Sequence, residues 1–390
     1  RAPRGTHRAR SKQDRLRQPL VHRHHAPPAM NLARTLIACI TFSQLLHAEA
    51  PFHLYAPSPK TKQLWIIQAK PSGQHLELSI QSKEPLSFPA GTISAHPTKP
   101  ILYVGAGGGS ADGAPASAIS LDTSGNVAAH HPFLLKHGTA YLSTDRSGRF
   151  LLSADYGSGA IDSYQLDPEG RFLKWTAGRN EGRKEAHAIL VSPDNRHLYI
   201  PYVKSNNALL QYHFDPNTGN IEPMSRTNAL PPDGTGPRHI AYHPSLPVVY
   251  FSNEQHLGVS VYDRDPSGNL TFRNVCDALS KDEPKDGISS SDIVITPDGK
   301  FLFAGIRGHS QDFDWIARYR LAENGDATLI GRTPADKIPW GFTLSPKAEF
   351  LFVTAYTGAT ITAYRIGTDG SLSKVATIPC DKEISDIIAR

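Results

Sequence analysis

The sequence predicts an all-β chain folded as a seven-bladed β-propeller of four-stranded antiparallel blades, and three observations lead there. One phrase recurs along the chain at a nearly constant step. Each recurrence is followed by the same series of short apolar–polar alternations and turns. The earliest unit lacks an opening strand, and the last residues of the chain supply one. The chain has 390 residues, 39% hydrophobic and 20% charged, which is enough to bury a large core and too apolar for a disordered segment. Its 31 Gly and 31 Pro suit many short strands joined by turns.

The recurring phrase is a short β run, then His/Ser/Thr-Pro, then a second apolar run. It reads ISAHPTKPILYVG at 93–105, LVSPDNRHLYIP at 190–201, IAYHPSLPVVYFS at 240–252, IVITPDGKFLFAG at 293–305 and TLSPKAEFLFVTA at 343–355. A diverged copy, LSTDRSGRFLLSA at 142–154, carries Asp145 in the proline place. The markers fall at 97, 145, 193, 244, 297 and 346, so the steps are 48, 48, 51, 53 and 49. A self-similarity of this period is the mark of a repeat architecture.

Each unit then continues with a third run, such as AIDSYQL, ALLQYHF, GVSVYDR or TITAYRI, a turn such as DPEGR or DPSGN, and a fourth run. Alternation broken by Gly/Asn/Asp turns is the signal of strands and hairpins, and no stretch keeps a helical period. Four strands in about fifty residues make one propeller blade. Residues 53–79 hold the later strands of a further unit, and SDIIAR at 385–390 reads as its missing first strand. Pairing the two gives seven blades and closes the ring, so that no edge stays open.

The N-terminal region is read apart from the ring. Residues 1–29 carry eight Arg and Lys against Asp14, a charge of +7, which leaves −2 for residues 30–390 out of the total of +5. The body is therefore nearly neutral and gives no reason to expect a nucleic-acid partner. The expectation is that 1–29 is a basic tail translated from upstream of a start at Met30. Residues 30–50 have Arg34, an apolar run over 36–46 and the small-residue end Ala48-Glu49-Ala50, the layout of a secretory signal peptide. The run is too short for a permanent span. The propeller is thus expected over 51–390, periplasmic or secreted if the leader is cleaved and cytoplasmic otherwise, without an integral membrane span, and monomeric. Cys39, Cys276 and Cys380 form no CxxC or Cys/His pattern, so neither zinc nor a disulfide framework is indicated.

Chemistry is expected where first strands enter the central channel. That place collects His187, Arg238 with His239, and Asp292 from three successive units, and the next turns add Asn253-Glu254 and Arg307-Gly308-His309. Two acids, three imidazoles and two arginines gathered at these positions suit proton transfer beside an anion. Other motifs fail. His239 and His243 imitate an HxxxH zinc motif, but four residues on a strand span ~13 Å. Gly105-Ala106-Gly107 opens no helix, and neither a GxSxG elbow nor a Walker loop occurs. No metal or cofactor is expected.

The motifs GPRHIAYHP (236–244), SNE (252–254), SSDIVITPDGKFLF (290–303) and IRGH (306–309), with ADYGSG (154–159) and EAHAILVSPDN (185–195), carry a resemblance. Over 51–390 the chain resembles the lactonase family of seven-bladed propellers, whose best-known type is bacterial 6-phosphogluconolactonase. The fungal carboxymuconate-lactonizing enzyme is similar in fold and in placing His, Arg, Glu and Arg around the channel. That implies His187, Arg238, Glu254 and Arg307 as the catalytic set. Glu254 or His187 would activate water while Arg238 and Arg307 bind the anion; His239, Asp292, Asn253 and His309 would contact or orient the substrate. Two features depart from the family. Pro339 is followed by Trp340 where the family usually has Arg, which removes one anion contact, and the loop GGGSADGAPAS at 107–117 is long. The resemblance implies hydrolysis of a small sugar lactone. The alternatives are a muconate-type cycloisomerase acting on a lactone or carboxylate, and an exported propeller that only binds or scaffolds. The expected leader argues against a phosphorylated substrate.

Overall fold

The computed structural model describes residues 50–107, 113–283 and 286–390. The basic tail, the leader up to Glu49 and part of the 107–117 loop lie outside the described residues. What is described belongs to one unit, Leu46–Arg390.

Seven four-stranded antiparallel sheets form the blades, numbered here along the chain. Six are continuous in sequence, with first strands at Ala90–Ala95, Tyr141–Thr144, Leu190–Val191, Pro237–Tyr242, Ser289–Ile295 and Pro339–Leu344 for blades 2 to 7. Blade 1 takes its first strand from the chain end: Ile388–Ala389 pairs with Phe52–Ser58. The closure expected from the sequence is the one found.

The strand positions explain their composition. Second strands such as Ile101–Ala106 and Val248–Asn253 are buried throughout, because neighbouring blades cover both of their faces. Fourth strands such as Val127–Leu135 alternate between exposed and half-buried residues at the outer edge. The apolar core accordingly lies in wedges between adjacent blades. One wedge joins Tyr250 and Val261 of blade 5 to Leu302 and Tyr319 of blade 6.

The repeated His-Pro marker is a hairpin device. His243 Nδ1 accepts the amides of Ser245 and Leu246 at 3.2 and 3.1 Å. His96 does the same for Thr98 and Lys99. In the diverged copy Asp145 takes over with a carboxylate, accepting the amides of Arg149 and Phe150 at 2.7 and 2.8 Å. These residues shape turns. Among the described residues no helix is long and apolar enough to cross a membrane.

Candidate active site

First strands of blades 4, 5 and 6 deliver their opening residues to one mouth of the channel, and bulges decide which side chains arrive. Pairing between first and second strands slips between Pro237 and Ile240 in blade 5, between Ser290 and Ile293 in blade 6, and between Pro339 and Phe342 in blade 7. A bulge inserts an extra residue and re-aims its side chain. The consecutive Arg238 and His239 therefore both line the channel, which plain alternation would forbid.

Glu254 follows the second strand of blade 5. Its amide donates to the Gly236 carbonyl at 2.7 Å, and its own carbonyl accepts the Ser290 amide at 3.2 Å. Gly236 sits at φ +57°, and a Cβ there would meet Gln255 Oε1 at 1.7 Å. Glycine takes this backbone without steric cost, and its missing side chain leaves room for Gln255 between the turn before Arg238 and the turn that holds Glu254.

The side chains converge on Glu254 Oε2. Arg238 Nε donates to it at 3.0 Å, Arg307 Nη2 lies 3.6 Å away and His187 Nε2 3.9 Å away. Arg238 is fully buried, and its Nη1 and Nη2 have no hydrogen-bond partner among the described residues. Arg307, also buried, donates to the Ser290 carbonyl at 2.6 Å. The Trp340 ring lies 4.4 Å from the Arg307 guanidinium and 5.5 Å from that of Arg238, and it stacks on Tyr356 at 4.5 Å.

Two guanidiniums thus share one carboxylate. Burial, then repulsion from Arg238, brings the Arg307 pKa down to about 9. Burial lowers Arg238 as well, against the opposing pull of Glu254 and Asp292. Burial, then Arg238, holds His187 well below the usual histidine range, so its imidazole is neutral at pH 7. Its Nδ1 is buried without a partner among the described residues.

Deeper in the channel the His239 ring lies 5.1 Å from that of His187. His239 Nδ1 is 2.6 Å from Asp292 Oδ1, and Asp292 also accepts the amides of Ile293 and Phe342 at 2.8 Å each. Asp292 therefore orients His239 and ties blade 6 to blade 7. Two cavities meet at His187 and Trp340. An outer one of about 450 Å³ takes in Glu254, Arg307, His309 and Tyr356. An inner one of about 380 Å³ takes in Arg238, His239 and Asp292. Each volume is in the range of small-molecule sites.

The structure brings His187, Arg238, Glu254 and Arg307 together, with His239 and Asp292 behind them. His309 stands on the wall of the outer cavity with Nε2 2.7 Å from Ser289 Oγ. Asn253, expected as a substrate contact, lies elsewhere: it is fully buried in blade 5, its Oδ1 accepts the Ser260 hydroxyl at 2.9 Å, and it lines neither cavity. Strand alternation turns it away from the side that its neighbour Glu254 faces. Sequence reasoning missed Lys204, Tyr356 and Asp386. Lys204, on the short 3₁₀ turn Lys204–Asn206, lines the outer cavity. Asp386 lines the inner cavity and repeats, in Ser385-Asp386-Ile387, the Ser291-Asp292-Ile293 of blade 6, a signal that could have found it.

Known proteins fit this picture. The family model described as "Lactonase, 7-bladed beta-propeller" matches residues 64–384. The 6-phosphogluconolactonase of Cronobacter sakazakii is 30% identical over 331 residues, covering 82% of this chain and 93% of that protein. The 6-phosphogluconolactonase of an Enterobacter species is 28% identical over 330 residues, with the same coverages of 82% and 93%. Among solved structures, the periplasmic gluconolactonase of Pseudomonas aeruginosa aligns with a TM-score of 0.77 at 16% identity, covering 87% of this chain and 99% of that one. A protein from Lactobacillus plantarum aligns with a TM-score of 0.74 at 18% identity, covering 88% and 100%. At those identities the structural likeness speaks for the fold.

Proposed function

The chain belongs to the lactonase family of seven-bladed β-propellers, and from that premise we propose that it hydrolyses a sugar lactone in the manner of a 6-phosphogluconolactonase. The observation that carries this reading is the convergence of Arg238, Arg307 and His187 on Glu254 Oε2 at the junction of two cavities. Hydrolysis needs a base for the attacking water, a cation for the oxyanion and an acid for the leaving alkoxide. This group of side chains offers all three.

In the proposed sequence His187, neutral at pH 7, accepts a proton as the water oxygen bonds to the acyl carbon. The negative oxygen of the tetrahedral intermediate is held by Arg307, which lines the outer cavity, with the buried charge of Arg238 behind it. That added negative charge raises the proton affinity of His187 just as the proton arrives. Glu254 fixes both guanidiniums and faces the imidazolium that forms. Collapse breaks the acyl carbon–ring oxygen bond, and His187 returns its proton to the leaving alkoxide. The product is a hydroxy acid, which ionises and releases one proton to solvent.

The test compares the wild type with Glu254→Gln on 6-phosphogluconolactone and on gluconolactone, with spontaneous opening subtracted. The variant is expected to lose ~10²-fold or more in kcat/KM, the scale of positioned acid–base and electrostatic contributions. Wild-type rates at the spontaneous level on both lactones would sink the proposal, and so would an unimpaired variant.

A further inference from the structure

Arg307 is the guanidinium on the wall of the outer cavity, and acceptor oxygens hold it only loosely. It is buried, and its Nη2 donates to the Ser290 carbonyl at 2.6 Å. Its Nε has no hydrogen-bond partner among the described residues. Glu254 Oε2 stands 3.6 Å from Nη2, beyond hydrogen-bond range, because that oxygen is taken by Arg238 Nε at 3.0 Å. Arg238 in turn repels Arg307. A buried cation so placed needs compensation from another source.

The Trp340 indole supplies it, with the Arg307 guanidinium over the ring at 4.4 Å. The negative face of an aromatic ring attracts a cation, most strongly where water is excluded. Such a face compensates the charge without offering an acceptor oxygen, so the N–H donors of Arg307 stay available to a ligand. The ring is itself fixed. Tyr356 stacks on it at 4.5 Å. The bulge of blade 7 that carries it is pinned at three points: the Ser291 hydroxyl donates to the Pro339 carbonyl at 2.7 Å, the Gly341 amide to Thr354 Oγ1 at 2.9 Å and the Phe342 amide to Asp292 Oδ2 at 2.8 Å. A Cβ on Gly341 would meet the Ser385 carbonyl oxygen at 2.7 Å, so the segment before the closing strand backs the bulge directly.

Resting on the lactonase reading, we propose that Trp340 is a positioning residue for the reaction: its indole face holds the Arg307 guanidinium at the outer cavity with donors free for the oxyanion of the tetrahedral intermediate. Trp340 acts through Arg307 and needs no contact with the lactone. The acyl oxygen gains its full negative charge only as the intermediate forms, so the arrangement favours the transition state over bound substrate. Weakening the indole face therefore lowers kcat and leaves KM nearly unchanged. A ring that instead packed on the lactone would act on KM.

Fluorinated tryptophans test this, because fluorine draws electron density from the ring face while nearly keeping its shape. Monofluoro-, difluoro- and tetrafluorotryptophan are placed at position 340 alone, and rates are read on whichever of 6-phosphogluconolactone and gluconolactone the wild type opens faster. The kcat is expected to fall stepwise, ~10-fold over the series at constant KM, the scale of one desolvated cation–π contact. Trp340→Leu, which has no π face, is expected to lose at least as much. A kcat that stays level along the series overturns the proposal, and so does a loss that appears in KM. Should the wild type open neither lactone, the lactonase reading falls by itself. The hold on Arg307 is then judged by calorimetric titration with gluconate, whose carboxylate offers the same anionic oxygen. An affinity that falls ~10-fold along the series upholds it, and equal or absent binding overturns it.

Discussion

As the proposed base, His187 sets where activity should fail in acid. Burial and the neighbouring Arg238 favour its neutral form, and a base works only while neutral. A histidine in the ordinary range would put the acid limb of kcat/KM near ~6.5; here the limb is expected below that, with the rate level through pH 6.5. His187→Gln is expected to abolish this limb and to lower the rate ~10²-fold. A wild-type limb at or above pH 6.5 would show that another group is the base. The four convergent residues were legible because each stands at an equivalent place in successive repeats: His187 and Arg238 at first-strand entries, Glu254 just after a second strand and Arg307 at the end of the next one. Asn253 misled because it is adjacent to Glu254 in sequence but opposite to it in orientation, its amide turned to Ser260. Lys204 was illegible for a different reason. A lysine in a loop has no spacing signature, and only the packing of blade 4 beside blade 5, through Gln255, gives it a place at the mouth.

Strands and turns were easier to read than their junctions. The marker step and the alternation located every blade, yet the bulges that aim Arg238 and His239 leave no trace in composition. The first strand of blade 4 is a second case. The repeat suggests a strand as long as the others, but only Leu190–Val191 pairs regularly, with a single bridge between Ala186 and Tyr202 further out. The break falls where blades 5, 6 and 7 have their bulges, and Pro201 widens it: the His187 amide donates to its carbonyl at 2.9 Å, but proline has no N–H to return the bond. The neighbourhood of His187 is thereby freed from a regular ladder. Blades are also joined by a device hidden inside their apolar runs. Tyr103, Tyr199 and Tyr250, each in a second strand, donate to the carbonyls of Gly170, Gly268 and Gly325 in the outer turn of the next blade, all at 2.6 Å. Tyr→Phe at each position keeps the packing and leaves a carbonyl without its donor. Each is expected to cost ~1–2 kcal/mol in urea unfolding, and the costs should add because the three hydrogen bonds share no partner. Substitutions without effect would mean that these hydroxyls contribute shape alone.

At the scale of the whole ring, the last six residues bear on both stability and the channel. Arg390 exchanges backbone hydrogen bonds with His53 of blade 1 at 2.8 Å each, and its guanidinium reaches the His96 carbonyl of blade 2 at 3.1 Å. Asp386 accepts the Ile93 amide at 2.9 Å and the Thr92 hydroxyl at 3.1 Å, joining the closing strand to blade 2 as Asp292 joins blade 6 to blade 7. The two aspartates differ in what faces them. Asp292 has His239 at 2.6 Å. Around Asp386 the favourable groups are Thr92 and the amides of Ile93 and Ile387, while Asp292 repels it, and burial wins: its pKa rises from 3.8 to about 7. The folded protein therefore holds a proton at Asp386 over a range in which the unfolded chain has released it. This contribution to stability is complete below pH 3.8 and is lost as the pH climbs through about 7. Asp386→Asn removes the titration while keeping an acceptor for Ile93. The difference in Tm between this variant and the wild type is expected to shift in favour of the variant from pH 5 to pH 8, since only the wild type then carries a buried charge without a counter-ion. A difference that stays constant over that range would mean that the carboxyl is ionised throughout, with its three hydrogen bonds outweighing burial. The same measurement bears on function, because Asp386 lines the inner cavity behind His187 and Arg238. A charge that appears there near neutral pH would alter the field at the reacting groups as well as the closure of the ring.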